Sequence, residues 1–133
     1  MFYDFAVTIP AGTTDADPFS QDLNLTAGVI EKVSILFPPG PHGMVKIRLL
    51  QGSHQFIPTN PDGYLASDDE ALDIDEYYEL KAAPYVLTVL GSSPGTTYDH
   101  TINIRIGILR PEDVEKTSAL TIALKKFLKL IGV

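Results

Sequence analysis

Apolar and polar residues alternate along most of this chain, and the alternation predicts strands. Tyr3, Phe5, Val7 and Ile9 fall on one side of an extended segment, with Asp4, Ala6 and Thr8 on the other, and Pro10 ends it. Residues 11–18 are small, polar and turn-forming, which reads as a surface loop or arm. A short extended piece over residues 23–25 precedes Gly28. Val33, Ile35 and Phe37 alternate next, up to Pro38-Pro39-Gly40-Pro41. Val45, Ile47 and Leu49 oppose Lys46 and Arg48, and these two runs with their Pro and Gly connection form the best hairpin candidate. A short strand at Gln55, Phe56 and Ile57 is followed by the densest turn signal, Pro58, Asn60, Pro61, Asp62 and Gly63. Residues 72–80 mix charge with apolar side chains as an exposed edge strand does. Tyr85, Leu87 and Val89 make a cleaner strand, broken at Gly91. His100, Ile102, Ile104, Ile106 and Ile108 give the longest regular run, which suits a central strand.

Pro111 changes the period. It fits the first turn of a helix, and Glu112, Asp113 and Glu115 place negative charge at the positive end of the helix dipole. Leu120, Ala123, Leu124, Phe127, Leu128 and Ile131 then share about 140° of arc, with Lys125, Lys126 and Lys129 pointing away. Ile122 and Leu130 fall on the lysine side. Either two apolar residues are simply exposed, or the helix is gripped both by its own sheet and by another subunit. The fold expected is all-β, an antiparallel two-sheet sandwich of jelly-roll type over residues 1–110. One amphipathic C-terminal helix over residues 111–133 packs on it or on a neighbouring subunit.

Composition narrows the chemistry. The 133 residues are 44% hydrophobic and 20% charged, the balance of one folded domain. There is no cysteine, so a disulfide, a thiolate metal site and a cysteine nucleophile are excluded. The formal charge of −7 opposes a polyanion, so no nucleic-acid partner is expected. No run reaches the roughly 20 apolar residues that span a bilayer. The start Met1-Phe2-Tyr3-Asp4-Phe5 lacks the basic-then-apolar order of a signal peptide. Neither a membrane partner nor signal-directed export is therefore expected.

Residues 62–79 hold Asp62, Asp68, Asp69, Glu70, Asp73, Asp75, Glu76 and Glu79 but no Lys or Arg. Paired acids can serve a glycosidase or bind calcium. Their spacing matches no calcium loop, and a solvated acidic loop leading into an edge strand explains them better. His42, His54 and His100 lack the spacing of a zinc pair, and neither a nucleophile elbow nor a glycine-rich phosphate loop occurs. No enzymatic activity, cofactor, metal or small-molecule ligand is expected. Tyr64, Tyr77 and Tyr78 remain as surface candidates, for protein interfaces or for stacking on sugars, though the chain lacks the tryptophan most usual in sugar platforms.

The opening Tyr3-Asp4-Phe5 with Ile9-Pro10-Ala11, the turn Pro58-Thr59-Asn60-Pro61-Asp62-Gly63, and the strand Ile102 to Leu109 followed by a terminal helix resemble small β-sandwich proteins carried by tailed bacteriophages. The resemblance is to architecture and turn layout, and no functional residue transfers with it. It implies an auxiliary virion protein of the decoration or cement type, assembled in the host cytoplasm and without an active site. The expected partners are protein subunits, of a capsid or of the same chain in a homo-oligomer. Contacts are expected through residues 11–18, the turn at residues 38–43 and the terminal helix, with Ile122, Phe127, Leu130, Tyr64, Tyr77 and Tyr78 as interface candidates. The alternative is a carbohydrate-binding or host-adhesion module using the tyrosines and the acidic loop.

Overall fold

A computed structural model describes residues 1–112 and Leu124. Among them eight strands alternate with loops: β1 (Phe2–Ile9), β2 (Phe19–Asn24), β3 (Gly28–Phe37), β4 (Lys46–Gln51), β5 (His54–Ile57), β6 (Glu70–Leu80), β7 (Val86–Ser92) and β8 (His100–Leu109). They form two four-stranded sheets, β1-β8-β3-β6 and β2-β7-β4-β5. Every pairing is antiparallel. First pairs with last, second with seventh, third with sixth and fourth with fifth, as when one long ribbon is rolled over on itself. That is the connectivity of a jelly roll.

Side-chain alternation makes the sandwich. Val7 and Ile9 of β1, Val33, Ile35 and Phe37 of β3, and Ile102, Ile104, Ile106 and Ile108 of β8 line the inner face of one sheet, all fully buried. Leu23 of β2, Ile47 and Leu49 of β4, Phe56 and Ile57 of β5 and Leu87 and Val89 of β7 supply the facing layer. Each such side chain contributes about 1.5–3 kcal/mol by leaving water. The isoleucine run of β8 lies between β1 and β3, the central position its pattern predicts.

The hairpin expected between the runs ending at Phe37 and starting near Val45 does not form. β3 and β4 belong to different sheets, and residues 38–45 carry the chain across the top of the sandwich. Prolines at 38, 39 and 41 cannot donate to a ladder, so this linker suits a crossing between layers rather than a tight turn within one. The tight hairpin is β4-β5, where Gln51 faces His54 across Gly52-Ser53 and Gly52 takes a φ of 59°. β7 also continues past Gly91 to Ser92. The helix expected over residues 111–133, with Ile122, Phe127 and Leu130, falls outside the described residues apart from Pro111, Glu112 and Leu124.

Candidate functional site

The tyrosines singled out by sequence are not brought together. Tyr77 and Tyr78 are neighbours on β6 and so point to opposite faces. Tyr77 is 62% exposed on the outer face. Tyr78 turns inward, stacks on Phe56 with ring centroids 4.4 Å apart, and donates its hydroxyl to Gln51 Oε1 at 2.5 Å. Burial pushes its phenol above the usual value. Tyr64 sits on the other sheet's side. It follows the 58–63 turn, and its neighbour Leu65 is bridged to Ile47 of β4 by a reciprocal pair of hydrogen bonds of 2.8 and 2.9 Å.

The acidic residues also disperse. Asp68 Oδ1 accepts the backbone N–H of Gly40 at 2.9 Å and of His42 at 3.0 Å, which pins the inter-sheet linker. Those two bonds hold its carboxyl below the usual carboxylate value. Ser67 donates to Glu70 at 2.9 Å, and Glu70, Asp73, Asp75 and Glu79 are exposed along β6. Among the described residues no group of three or more His, Asp or Glu side chains is placed to hold a metal.

Polar side chains do converge on the outer face of the β2-β7-β4-β5 sheet. Lys46 and Arg48 share the outward face of β4, and Lys46 is the cross-strand partner of Ser92 on β7. Asp15, from the loop between β1 and β2, reaches over them. Its Oδ1 accepts the Ser92 hydroxyl at 2.6 Å, and its Oδ2 pairs with Lys46 Nζ at 3.2 Å. The Ser92 bond first and Lys46 second hold the Asp15 carboxyl below its usual value. Lys46 Nζ also stands 4.7 Å from the centroid of the Tyr64 ring, a cation–π contact. Together with Asp62 these side chains line a cleft of about 200 Å³. Sequence alternation placed Lys46 and Arg48 on one face, but nothing local in residues 11–18 pointed Asp15 at them.

The second candidate feature is a sheet edge. The Met1 ammonium donates to the Ile108 carbonyl and the Ile108 N–H donates to the Met1 carbonyl, both at 2.7 Å. In an antiparallel ladder such pairs alternate, so Tyr3, Phe5, Val7 and Ile9 bond to β8 while Phe2, Asp4, Ala6 and Thr8 aim their N–H and C=O groups away from it. Side-chain contacts agree with this alternation. Thr8 and Thr101 Oγ1 atoms are 2.9 Å apart and Asp4 Oδ2 lies 3.7 Å from Arg105 Nε, both across the close, non-hydrogen-bonded pairs. On the open side, among the described residues, only the Ala6 carbonyl has a partner, the Gln21 side chain at 3.5 Å. All four outward residues are exposed, Phe2 by 67%.

These features define a two-sheet antiparallel β-sandwich with an open edge at β1 and a polar cleft on the opposite sheet. No family model matches the chain, and no curated protein matches it. Among solved structures it is similar to the Yersinia pseudotuberculosis-derived mitogen, with a TM-score of 0.42 and 9% identity over 82% of this chain and 86% of that one. It is also similar to a Bacillus endospore appendage protein of a disulfide-linked pilus family, with a TM-score of 0.35 and 12% identity over 82% of this chain and 88% of that one.

Proposed function

We infer that the protein is a non-enzymatic structural assembly module that binds other protein subunits by strand addition. In line with the phage resemblance, its place is in a virion as an auxiliary protein of the decoration or cement type. The observation that carries this reading is the open edge of β1. Four residues, Phe2, Asp4, Ala6 and Thr8, turn main-chain donors and acceptors away from β8, all but the Ala6 carbonyl without a partner among the described residues, along a strand whose register with β8 has no break. An extended segment of a partner that adds there gains main-chain hydrogen bonds, with the exposed Phe2 ring as a side-chain anchor. A second copy also fits. Antiparallel pairing of two β1 strands with Asp4 opposite Ala6 and Phe2 opposite Thr8 uses all four residues once the Gln21 side chain leaves the Ala6 carbonyl, and keeps the two Asp4 carboxylates from facing each other.

Ala6→Pro tests this. It deletes an N–H that points away from β8, so the ladder is kept, while the incoming strand meets a missing donor and a ring. The wild-type chain is expected to sediment as an oligomer, or to co-sediment with purified capsids of tailed bacteriophages. The variant is expected to do neither and to keep its fold by circular dichroism. A wild-type chain that stays monomeric and ignores capsids refutes the reading, and so does a variant that assembles normally.

A further inference from the structure

We propose that the cleft between Arg48, Asp62 and Tyr64 binds a neutral saccharide, one sugar ring at a time. This does not depend on assembly through β1, which lies in the other sheet. The argument starts from what the cleft leaves unused. Lys46 and Ser92 are both engaged by Asp15, so that trio is internally satisfied and has an evident structural task, tying the β1-β2 loop to the sheet. Arg48, Asp62 and the Tyr64 hydroxyl, by contrast, make no hydrogen bond or ion pair among the described residues, although all line the same cleft.

One group of each sign remains without a hydrogen bond or salt bridge, Arg48 acting on Asp15 only through space. An anionic ligand would gain Arg48 but face the Asp62 and Asp15 carboxylates, and a cationic one would meet Arg48 and Lys46. A vicinal diol avoids both conflicts. One hydroxyl accepts from the guanidinium, whose N–H groups only donate, and its neighbour donates to the carboxylate, which only accepts. Tyr64 supplies the remaining element. Lys46 Nζ packs on its ring, which fixes it, yet the side chain is half exposed and offers a flat apolar surface to the C–H face of a sugar ring. The size agrees. About 200 Å³ is smaller than the pockets of drug-sized ligands and suits a single ring at the end or branch of a glycan.

The full chain is probed on an array of neutral and sialylated glycans, and the best neutral hit is titrated by NMR. Amide shifts are expected to centre on residues 46–48, 62–65 and 92. Tyr64→Ala and Asp62→Asn, both at exposed positions, should each weaken binding by about tenfold or more. Tyr77→Ala, which removes the exposed tyrosine of the other sheet, should change nothing. The shift map needs no variant, so it stands even if a substitution disturbs folding. Absence of any glycan bound at millimolar concentration overturns the proposal. So do shifts centred elsewhere, full binding by Tyr64→Ala, or binding restricted to sialylated sugars, which would make the cleft a plain anion site at Arg48.

Discussion

Gly91 offers a direct test of how the two sheets face each other. It lies in β7 with its missing side chain directed inward, and a methyl built there would overlap Cδ1 of Ile9 in β1 and approach its Cγ1 to 3.1 Å and the Ile47 Cδ1 to 3.4 Å. Forcing an extra methyl into a filled core costs about 1–3 kcal/mol. Replacing glycine stiffens the unfolded chain and returns about 0.4–1 kcal/mol. Gly91→Ala should therefore destabilise by about 1–2 kcal/mol, or about 4 °C in Tm per kcal/mol for a domain of this size. Ile9→Val alone removes the obstructing Cδ1 and should cost about 0.5–1.5 kcal/mol through the void it leaves. In the double variant the new methyl occupies that void, so the combined loss should fall short of the sum by about 1 kcal/mol. Urea titration of the four proteins measures this, and the slope should stay constant if only stability changes. Additivity within about 0.5 kcal/mol would mean that Ile9 and Gly91 do not meet, and the facing of the sheets derived above would be wrong.

Two further outcomes follow from the polar contacts. Asp15 and Asp68 both have carboxyls held below the ordinary value of 3.8, so each contributes stability that is present above the unfolded carboxylate range and lost as pH falls through the lower folded value. Acid titration of Tm for Asp15→Asn and Asp68→Asn should show a shallower decline below that range than the wild type, and an unchanged acid limb would refute the assignment. Tyr78→Phe removes the hydroxyl bonded to Gln51 while keeping the ring on Phe56. It should cost about 1 kcal/mol in urea denaturation, and a neutral result would show that water replaces the Gln51 contact at no loss.

What the sequence disclosed tracks how strongly one face was buried. β8 and β1 carry β-branched or aromatic residues at every second position, and both appear where the pattern put them. β2 shows in the sequence as only a short piece because polar Gln21 sits between Phe19 and Leu23 on its inner side, which blurs the alternation. The β3-β4 link is hidden for a different reason. Period-two patterns show that two strands exist but not which sheet holds each, and that choice rests on contacts distant in sequence. The Gly52-Ser53 turn did carry a local signal, glycine in a two-residue loop between extended runs. The cleft was illegible because Asp15 and Ser92, joined by a 2.6 Å hydrogen bond, are separated by most of the chain.

The acidic stretch and the plain opening strand, unrelated in the sequence, become the two edges of one sheet. β6 is an eleven-residue edge, long enough to recruit stray strands, and exposed Glu70, Asp73, Asp75 and Glu79 lie along it. Its pairing with β3 also breaks register between Ile30 and Lys32, which interrupts the flat array an incoming strand requires. β1, at the other end of the same sheet, has no break and a single charge, Asp4, which Arg105 already meets from β8. Repulsion and irregularity close one edge while leaving the other open. Within this sheet the proposed strand addition would thereby be directed to β1, and an assembly built by pairing two β1 strands would end after one pairing instead of growing through β6 into an open fibre.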